Sequence, residues 1–393
     1  MTPLVQDSGL LDLLAPQESP GVGSGGGGQG TAMLPVRLAI TGAGGRCGVQ
    51  YDEDRLEELF PPLGALLGDA LASAETPQPL SEEDWRGYLR GTGIYFDFGG
   101  GVPLSALERW LQGPGNGTLT GSARRVLLCA GTDGQVLLCW QEVEGGGFFT
   151  CRTGLTQDLH LEPAAEGAAF NGAYFAFEDQ ELSRGLAPYT LITEGEQGGT
   201  EYAVSSPLAG EGGPEAVLSA LSFSSQDHAP VSGGEVYVDG GDRLVLNAGG
   251  TVTYRAGQGE KYPAGPTLAD GVDAARTLAE TALGPMCGEA RLYLMSAQNV
   301  EGAVRVRFGY LLDGCAVYLG SEGWAAEFWI WDGCVTQFTL RFRSYAASGE
   351  ETLLLPVDKA AAMLPDLRWA GRAVGPPAGA GGRTEAVPGW VAV

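Results

Sequence analysis

The spacing of apolar residues predicts helices in a few stretches of the first half of the chain. Residues 51–74 open with acidic side chains and carry regularly spaced leucines, which is typical of an amphipathic helix. Pro61 and Pro62 lie in its middle, and we expect them to divide it into two short helices. Ser81, with an aspartate three residues later, predicts a helix N-terminus, and residues 102–111 predict a further helix.

Alternating apolar and polar residues, the pattern of β-strands, dominate the middle of the chain. Residues 124–143 contain two such runs around a Thr-Asp-Gly turn and predict a β-hairpin, to which residues 148–153 add a third strand. Residues 168–178 predict another strand. Three short runs over 235–255, separated by glycine-rich turns, predict a meander.

The last third of the chain contains the clearest helix and the clearest alternation. Residues 268–284 predict an amphipathic helix that ends at a glycine. The apolar residues of 304–308 then alternate with arginines, and a similar alternation returns at 338–343. This pattern predicts antiparallel strands with one buried face and one wet face. Asp332-Gly333 predicts a hairpin turn, and residues 356–365 predict a short helix.

Both halves of the chain place helices before a run of antiparallel strands, which indicates an α+β fold and not a doubly wound parallel sheet. Residues 1–33 join a short apolar stretch to a glycine-rich linker and predict a flexible tail. We expect an N-terminal α+β domain over 34–205, a small β-meander over 206–265 and a C-terminal α+β domain over 266–393.

Charge narrows the range of partners. The chain has 393 residues and a net charge of −25, from 48 acidic and 23 basic side chains. The acidic surplus is spread along the chain, so we expect no nucleic-acid partner, since phosphates are bound by clustered Lys and Arg. The same surplus disfavours basic patches that bind anionic membranes. No stretch reaches the roughly 18–20 apolar residues that span a bilayer, so we expect that the chain as given does not cross a membrane.

Motifs for catalysis or cofactor binding are weak. A strand-like run is followed by glycines from Gly42 onward, but Cys47 stands where the third glycine of a dinucleotide-binding loop belongs. The acidic start of the next predicted helix would also repel a pyrophosphate. His160 and His228 lie far apart, and neither accompanies a nucleophile motif. We therefore expect no catalytic residue, cofactor or metal, although the many carboxylates leave a glycosidase-like pair open.

The seven cysteines are scattered along the chain, and no two have the spacing of a zinc site. Most of them alternate with other residues inside apolar, strand-like runs, where a small thiol packs well. We therefore expect mostly free, buried thiols and not a disulfide framework.

A tryptophan-rich segment near the predicted last strands is the one cluster of candidate binding residues. On a strand, Phe328 and Ile330 face one side, while Trp329 and Trp331 face the other. One pair is expected to pack beneath the long helix. The other pair is either covered as well, or exposed to a partner, because Trp is enriched at binding hot spots. The candidate partner surface consists of Trp324, Trp329 and Trp331.

The order of the predicted elements resembles that of a known family. Residues 34–111, with the acidic helix, and the later Asn-Gly-Ala-Tyr-Phe-Ala-Phe-Glu run resemble the extracytoplasmic part of YycH-type proteins. Residues 222–257 look like the small meander between the two larger parts of such proteins. The C-terminal portion is similar to the YycI/PepSY-like unit, with its helix at 268–284, a hairpin with an Asp-Gly turn and a closing Pro-x-Trp strand at 388–390.

The resemblance implies a regulatory role. YycH and YycI are membrane-anchored accessory proteins of Gram-positive bacteria that modulate the WalK/WalR (YycG/YycF) two-component system of cell-wall metabolism. For this chain, the resemblance implies a non-enzymatic extracytoplasmic regulator, anchored to the membrane in its full-length form by a segment absent from this chain. Its implied partners are a sensor histidine kinase and a paralogous accessory regulator. Two other classes stay open, a PepSY-type module that binds a peptide or envelope ligand, and a secreted hydrolase.

Overall fold

The computed structural model describes residues 33–112, 119–193, 198–210, 212–257, 261–319, 323–363, 370–375 and 385–392. Apart from Met33, the predicted tail lies outside these residues. The α-helices are α1 (Glu53–Ala72), α2 (Glu82–Arg90), α3 (Leu104–Gln112), α4 (Glu162–Glu166), α5 (Gly213–Ala220), α6 (Leu268–Leu283) and α7 (Val357–Met363). Single turns of 3-10 or π-helix lie at Gln157–Leu161, Ala176–Glu178, Leu182–Arg184, Pro207–Ala209 and Gly284–Met286.

The first sheet is formed by seven antiparallel strands in the order β2-β1-β4-β5-β6-β7-β3. The strands are β1 (Arg37–Gly42), β2 (Gly45–Gln50), β3 (Gln78–Leu80), β4 (Gly93–Pro103), β5 (Ser122–Ala130), β6 (Gln135–Glu142) and β7 (Phe148–Thr156). A separate two-stranded ribbon pairs β8 (Tyr174–Phe175) with β9 (Leu191–Ile192). The strand predicted over 168–178 is therefore only two residues long.

The second sheet contains thirteen strands, in the order β11-β12-β13-β14-β19-β18-β16-β17-β21-β22-β10-β20, with β15 paired to β16. The strands are β10 (Gly198–Ser205), β11 (Asp227–Val231), β12 (Gly234–Asp239), β13 (Asp242–Asn247), β14 (Thr251–Arg255), β15 (Arg291–Val300), β16 (Ala303–Leu312), β17 (Cys315–Val317), β18 (Ala326–Trp331), β19 (Cys334–Arg341), β20 (Ser344–Leu353), β21 (Ala370–Gly375) and β22 (Glu385–Ala392). Only β17 and β21 pair in parallel among the described strands. The α+β expectation, with mostly antiparallel sheets, is confirmed.

Pairing within the second sheet joins segments that the sequence analysis assigned to different domains. Strand β10 pairs with β20 and β22, and the predicted meander joins the C-terminal strands because β14 pairs with β19. The division into domains at 205/206 and 265/266 stays a prediction.

Strand alternation divides the side chains of the first sheet between two packed layers. On β4, Ile94 and Phe96 belong to the same core as the inward faces of α1 and α3. Tyr95, between them, packs instead with Trp85 and Leu89 of α2. Because both faces are covered by helices or by the segment after α4, these strands are apolar on both sides.

Helix α1 runs through both prolines, so the expected division into two short helices is wrong. Pro61 and Pro62 lie inside it, and each removes a backbone N–H that would otherwise donate to a carbonyl four residues back. The neighbouring Phe60 and Leu63 are buried in the core. Full burial of such a side chain contributes about 1.5–3 kcal/mol, comparable with the cost of about 3 kcal/mol per proline. Tertiary packing therefore outweighs local propensity.

Asp97 of β4 is a buried carboxylate near the place where the two sheets meet. It is 1% exposed. Three guanidinium groups lie within 3.7 Å of its oxygens, those of Arg37, Arg124 and Arg125. The backbone N–H of Gly99 donates to it at 2.8 Å. A charge this deeply buried is stable only when it is paired in this way.

The chain next to Asp97 is in close contact with the second sheet. A Cβ atom added at Gly100 would lie 2.2 Å from the carbonyl oxygen of Leu294 on β15, so only glycine allows this approach. Val36, Tyr293 and Leu311 form a small apolar cluster in the same region. The ion cluster joins β1, β4 and β5 of the first sheet, next to the place where β4 contacts the second sheet.

Asp97→Asn is expected to destabilise the fold by about 3–5 kcal/mol at pH 7, because it leaves arginines buried without their counter-charge. Burial by itself would raise the pKa of Asp97, but Arg124, Arg125 and Arg37 outweigh it and hold the pKa well below its usual range. The pKa of Asp97 is lower in the folded protein than in the unfolded chain, where it is about 3.9. The carboxylate therefore stabilises the folded state fully above that pH, and this contribution is lost as the pH falls below it. In urea unfolding, the difference between wild type and variant should narrow below about pH 4.

Asp133→Asn serves as the control for this prediction, because Asp133 pairs with Arg152 at the surface. It should cost less than about 1 kcal/mol. An Asp97→Asn protein as stable as the control variant would show that the cluster does not stabilise the fold.

Native protein should expose at most one reactive thiol, and denatured, unreduced protein should expose seven. Six cysteines are buried as thiols and Cys334 is half-buried. Burial raises the pKa of Cys151 to about 12 and that of Cys287 to about 11, which keeps both as unreactive thiols. Thiol titration with and without denaturant measures both numbers. One thiol or fewer in the denatured protein would contradict the prediction.

Candidate functional site

Helix α6 covers one face of the second sheet. It packs across β15, β16, β18 and β19. Its first turn is fixed by a capping box, in which the Asp270 N–H donates to Thr267 Oγ1 at 3.1 Å and the Thr267 N–H donates to Asp270 Oδ2 at 2.9 Å. A Cβ added at Gly271 would lie 3.3 Å from Cγ1 of Val304, so helix and sheet are in direct contact.

The aromatic strand β18 alternates between the two faces of this sheet. Phe328 and Ile330 are 0% and 3% exposed, in the same core as α6. Trp329 is half-buried and Trp331 is 47% exposed, on the opposite side. The pair expected beneath the helix is therefore Phe328 and Ile330.

We call the side of the second sheet away from α6 the outer face. The strand registers place on it the side chains of Arg243, Arg255, Arg305, Arg307, Glu327, Trp329, Trp331, Gln337, Thr339 and Arg341. All of them are exposed or half-buried. In the part of the chain that the structure describes, the first sheet contacts one end of this face, around Tyr293 and Leu311.

Polar and cationic neighbours hold Trp329 in one orientation. Its indole N–H donates to Glu327 Oε1 at 3.2 Å, and Glu327 in turn accepts a hydrogen bond from Nε of Arg307 at 2.5 Å. The guanidinium of Arg305 lies 5.6 Å from the ring centroid of Trp329. Such a cation–π contact contributes about 0.5–1 kcal/mol at an exposed site.

The three predicted tryptophans do not form one patch. Trp329 and Trp331 are neighbours about 6.7 Å apart along the outer face. Trp324 lies against Arg341, whose guanidinium is 3.7 Å from its ring centroid. Arg341 is four residues beyond Gln337, the register partner of Trp329, which places Trp324 about 13 Å from that pair.

Arginines lie on the two strands that flank β18, with Arg305 of β16 opposite Trp329 and Arg341 of β19 against Trp324. Burial, and to a smaller extent the neighbouring Arg343 guanidinium, lower the pKa of Arg341. Sequence reasoning missed Arg243 and Arg255, which reach this face because β14 pairs with β19. Their alternation with apolar residues was visible in the sequence, but the pairing between distant strands was not.

The remaining candidate motifs are structural in the described part of the chain. The glycines after β1 form the turn of the β1–β2 hairpin and do not lead into a helix. His160 Nδ1 accepts a hydrogen bond from the Thr156 N–H at 3.1 Å, and His228 stacks on Tyr237. Within the described ranges, no group of three or more His, Cys, Asp and Glu side chains is arranged to bind a metal.

An open cleft of about 680 Å³ lies beside the edge of the first sheet. Its lining consists of Glu75, Thr76, Gln78, Leu137, Thr150, Cys151 and Arg152. The Cys151 thiol is a poor nucleophile, since burial raises its pKa to about 12.

No described helix is both long and apolar enough to cross a membrane.

Comparison with known proteins identifies the fold. No protein-family model matches the chain, and no curated protein matches it in sequence. Among solved structures, the crystal structure of YycH from Bacillus subtilis matches with a TM-score of 0.55 and 12% sequence identity. The match covers 91% of this chain and 92% of that chain. The chain thus has a YycH-type fold, as the resemblance in its sequence implied.

Replacing Trp329 and Trp331 together by Ser should lower the melting temperature only slightly, because both rings lie on the outer face. Phe328→Ala removes a ring that is fully buried beneath α6 and should cost about 3–5 kcal/mol. Thermal unfolding followed by circular dichroism compares the two variants. If the double tryptophan variant unfolds as readily as Phe328→Ala, both tryptophans belong to the core.

Proposed function

We propose that this protein is a non-enzymatic, extracytoplasmic regulator that binds a membrane sensor histidine kinase and modulates its activity. The observation that carries the proposal is the YycH-type fold, which extends over 91% of the chain. The resemblance of the sequence to YycH-type accessory proteins supplies the class of partner, a sensor kinase of the WalK kind. A paralogous accessory regulator is the second proposed partner.

We place the kinase-binding contact on the outer face, around Trp329 and Trp331, with Trp324 at its far end. The exposed part of Trp331 offers a large apolar area next to hydrogen-bonding groups, the combination that protein interfaces favour. Trp329 is already held by Glu327 and Arg305, so little rotamer freedom is lost when a partner binds.

The test measures binding to the full-length sensor kinase of the same cell, held in lipid nanodiscs. Wild-type protein should bind, and the double variant Trp329→Ser/Trp331→Ser should bind about tenfold or more weakly, because a hot-spot aromatic contributes about 2 kcal/mol or more. Kinase autophosphorylation, measured in the same preparation, should change when wild-type protein is added and change less with the variant.

The control variant is Leu159→Ser/Phe170→Ser, which removes two exposed apolar side chains from the first half of the chain. It should bind the kinase within about twofold of wild type. If wild-type protein does not bind the kinase, the proposed partner is wrong. If both double variants bind equally well, the kinase contact lies on another surface.

A further inference from the structure

The outer face carries a line of side chains that crosses five strands. The registers place Arg243 opposite Arg255, Arg255 opposite Gln337, Gln337 opposite Trp329, and Trp329 opposite Arg305. We call these five side chains the basic row. Adjacent strands lie about 4.8 Å apart, so the row is about 19 Å long.

This row concentrates positive charge in a protein whose net charge is −25. Over β11–β14, β16, β18 and β19, the outer face carries five arginines, and its acidic residues are Glu327 and Asp227. Glu327 is already paired with Arg307. Of the carboxylates in the described ranges, none forms an ion pair with Arg243, Arg255 or Arg305.

The folded protein keeps like charges in direct opposition within the row. Arg243 and Arg255 are cross-strand partners, and like charges in that position are destabilising. Both side chains are exposed. A carboxylate bound between them would relieve the repulsion and could accept hydrogen bonds from two guanidinium groups, which bind carboxylates in a bidentate manner.

We infer that the basic row is a docking site for an acidic protein segment, which the partner of the proposed function supplies. This inference rests on that proposed function and adds the chemistry of the partner. An extended segment of about six residues spans the row, with its carboxylates on the arginines and an apolar side chain against Trp331.

Nucleic acid fits the outer face less well, although an arginine-rich sheet with aromatic rings is also a platform for single strands. Base stacking needs a free ring face, but Arg305 lies over Trp329 and Arg341 lies over Trp324. The net charge of −25 repels a long polyanion. A short acidic segment interacts mainly with charges within a Debye length of about 8 Å, where the arginines dominate.

The test uses a fluorescein-labelled peptide of about ten alternating glutamate and threonine residues, long enough to span the row. Its fluorescence anisotropy with wild-type protein should rise at an ionic strength of about 0.15 M, where the Debye length is about 8 Å, and should rise less as more salt is added. The same peptide with lysine in place of glutamate should not bind. Arg243→Gln/Arg255→Gln should weaken binding about tenfold or more, since hydrogen bonds to charged groups contribute about 1.5–3 kcal/mol.

The matched control is Arg55→Gln/Arg184→Gln, which also removes two positive charges, but from the first half of the chain. It should bind the glutamate peptide as wild type does, whereas a uniform charge effect would weaken both double variants equally. The melting temperature of Arg243→Gln/Arg255→Gln should be no lower than that of wild type, because a repulsion is removed.

Three results would overturn the inference. They are no binding of the glutamate peptide by wild-type protein, equal binding by both double variants, or tighter binding of an oligothymidine or of anionic lipid vesicles than of the peptide. If the peptide fails while kinase binding still depends on Trp329 and Trp331, the proposed function stands and only the acidic chemistry of the partner is wrong. If the peptide binds and the kinase does not, the row has another acidic partner.

Discussion

Helix α6 covers only one face of the second sheet, and strand geometry determines the rest of that half of the molecule. Because side chains alternate along a strand, the residues beneath α6 must be small or apolar, and their neighbours must be compatible with water. Phe328 and Ile330 on β18 are apolar and buried beneath α6, whereas Trp329, between them in sequence, is half-buried on the opposite face. The side chains of the outer face do not pack against α6, and they are therefore available for contact with a partner.

The composition of the outer face differs from that of the whole chain. Acidic residues outnumber basic ones by about two to one overall, 48 to 23, yet on the described strands of this face arginines outnumber carboxylates. All basic side chains except Lys261 and Lys359 are arginine. Arginine stacks on aromatic rings and binds carboxylates through two parallel hydrogen bonds. An acidic partner segment would therefore be attracted to the outer face and repelled by the acidic remainder of the protein surface.

Local patterns in the sequence predicted much of the fold. The long helix at 268–284, the Ser81 N-cap and the turn at Asp332-Gly333 follow from rules that act over a few residues, and all three are present. The α+β class followed from the order of such elements. Helix α1 was predicted from its amphipathic pattern, but its continuity was not, because the burial of its apolar face outweighs two prolines and no local rule weighs these two effects against each other.

The candidate site shows the same limit. Alternation predicted that Trp329 and Trp331 would share a face, and they do. It could not place Trp324 at the far end of that face, because the position of Trp324 depends on its contact with Arg341. Nor could it predict that Arg255 lies beside Gln337, since the two residues are more than eighty positions apart in the chain and only the pairing of β14 with β19 joins them.

Photo-cross-linking in living cells tests the central claim most directly, with a benzophenone amino acid at Gln337 on the outer face or at the exposed Gln180 elsewhere. The account predicts that the sensor kinase cross-links from position 337 and not from position 180; cross-linking from position 180 alone would contradict it.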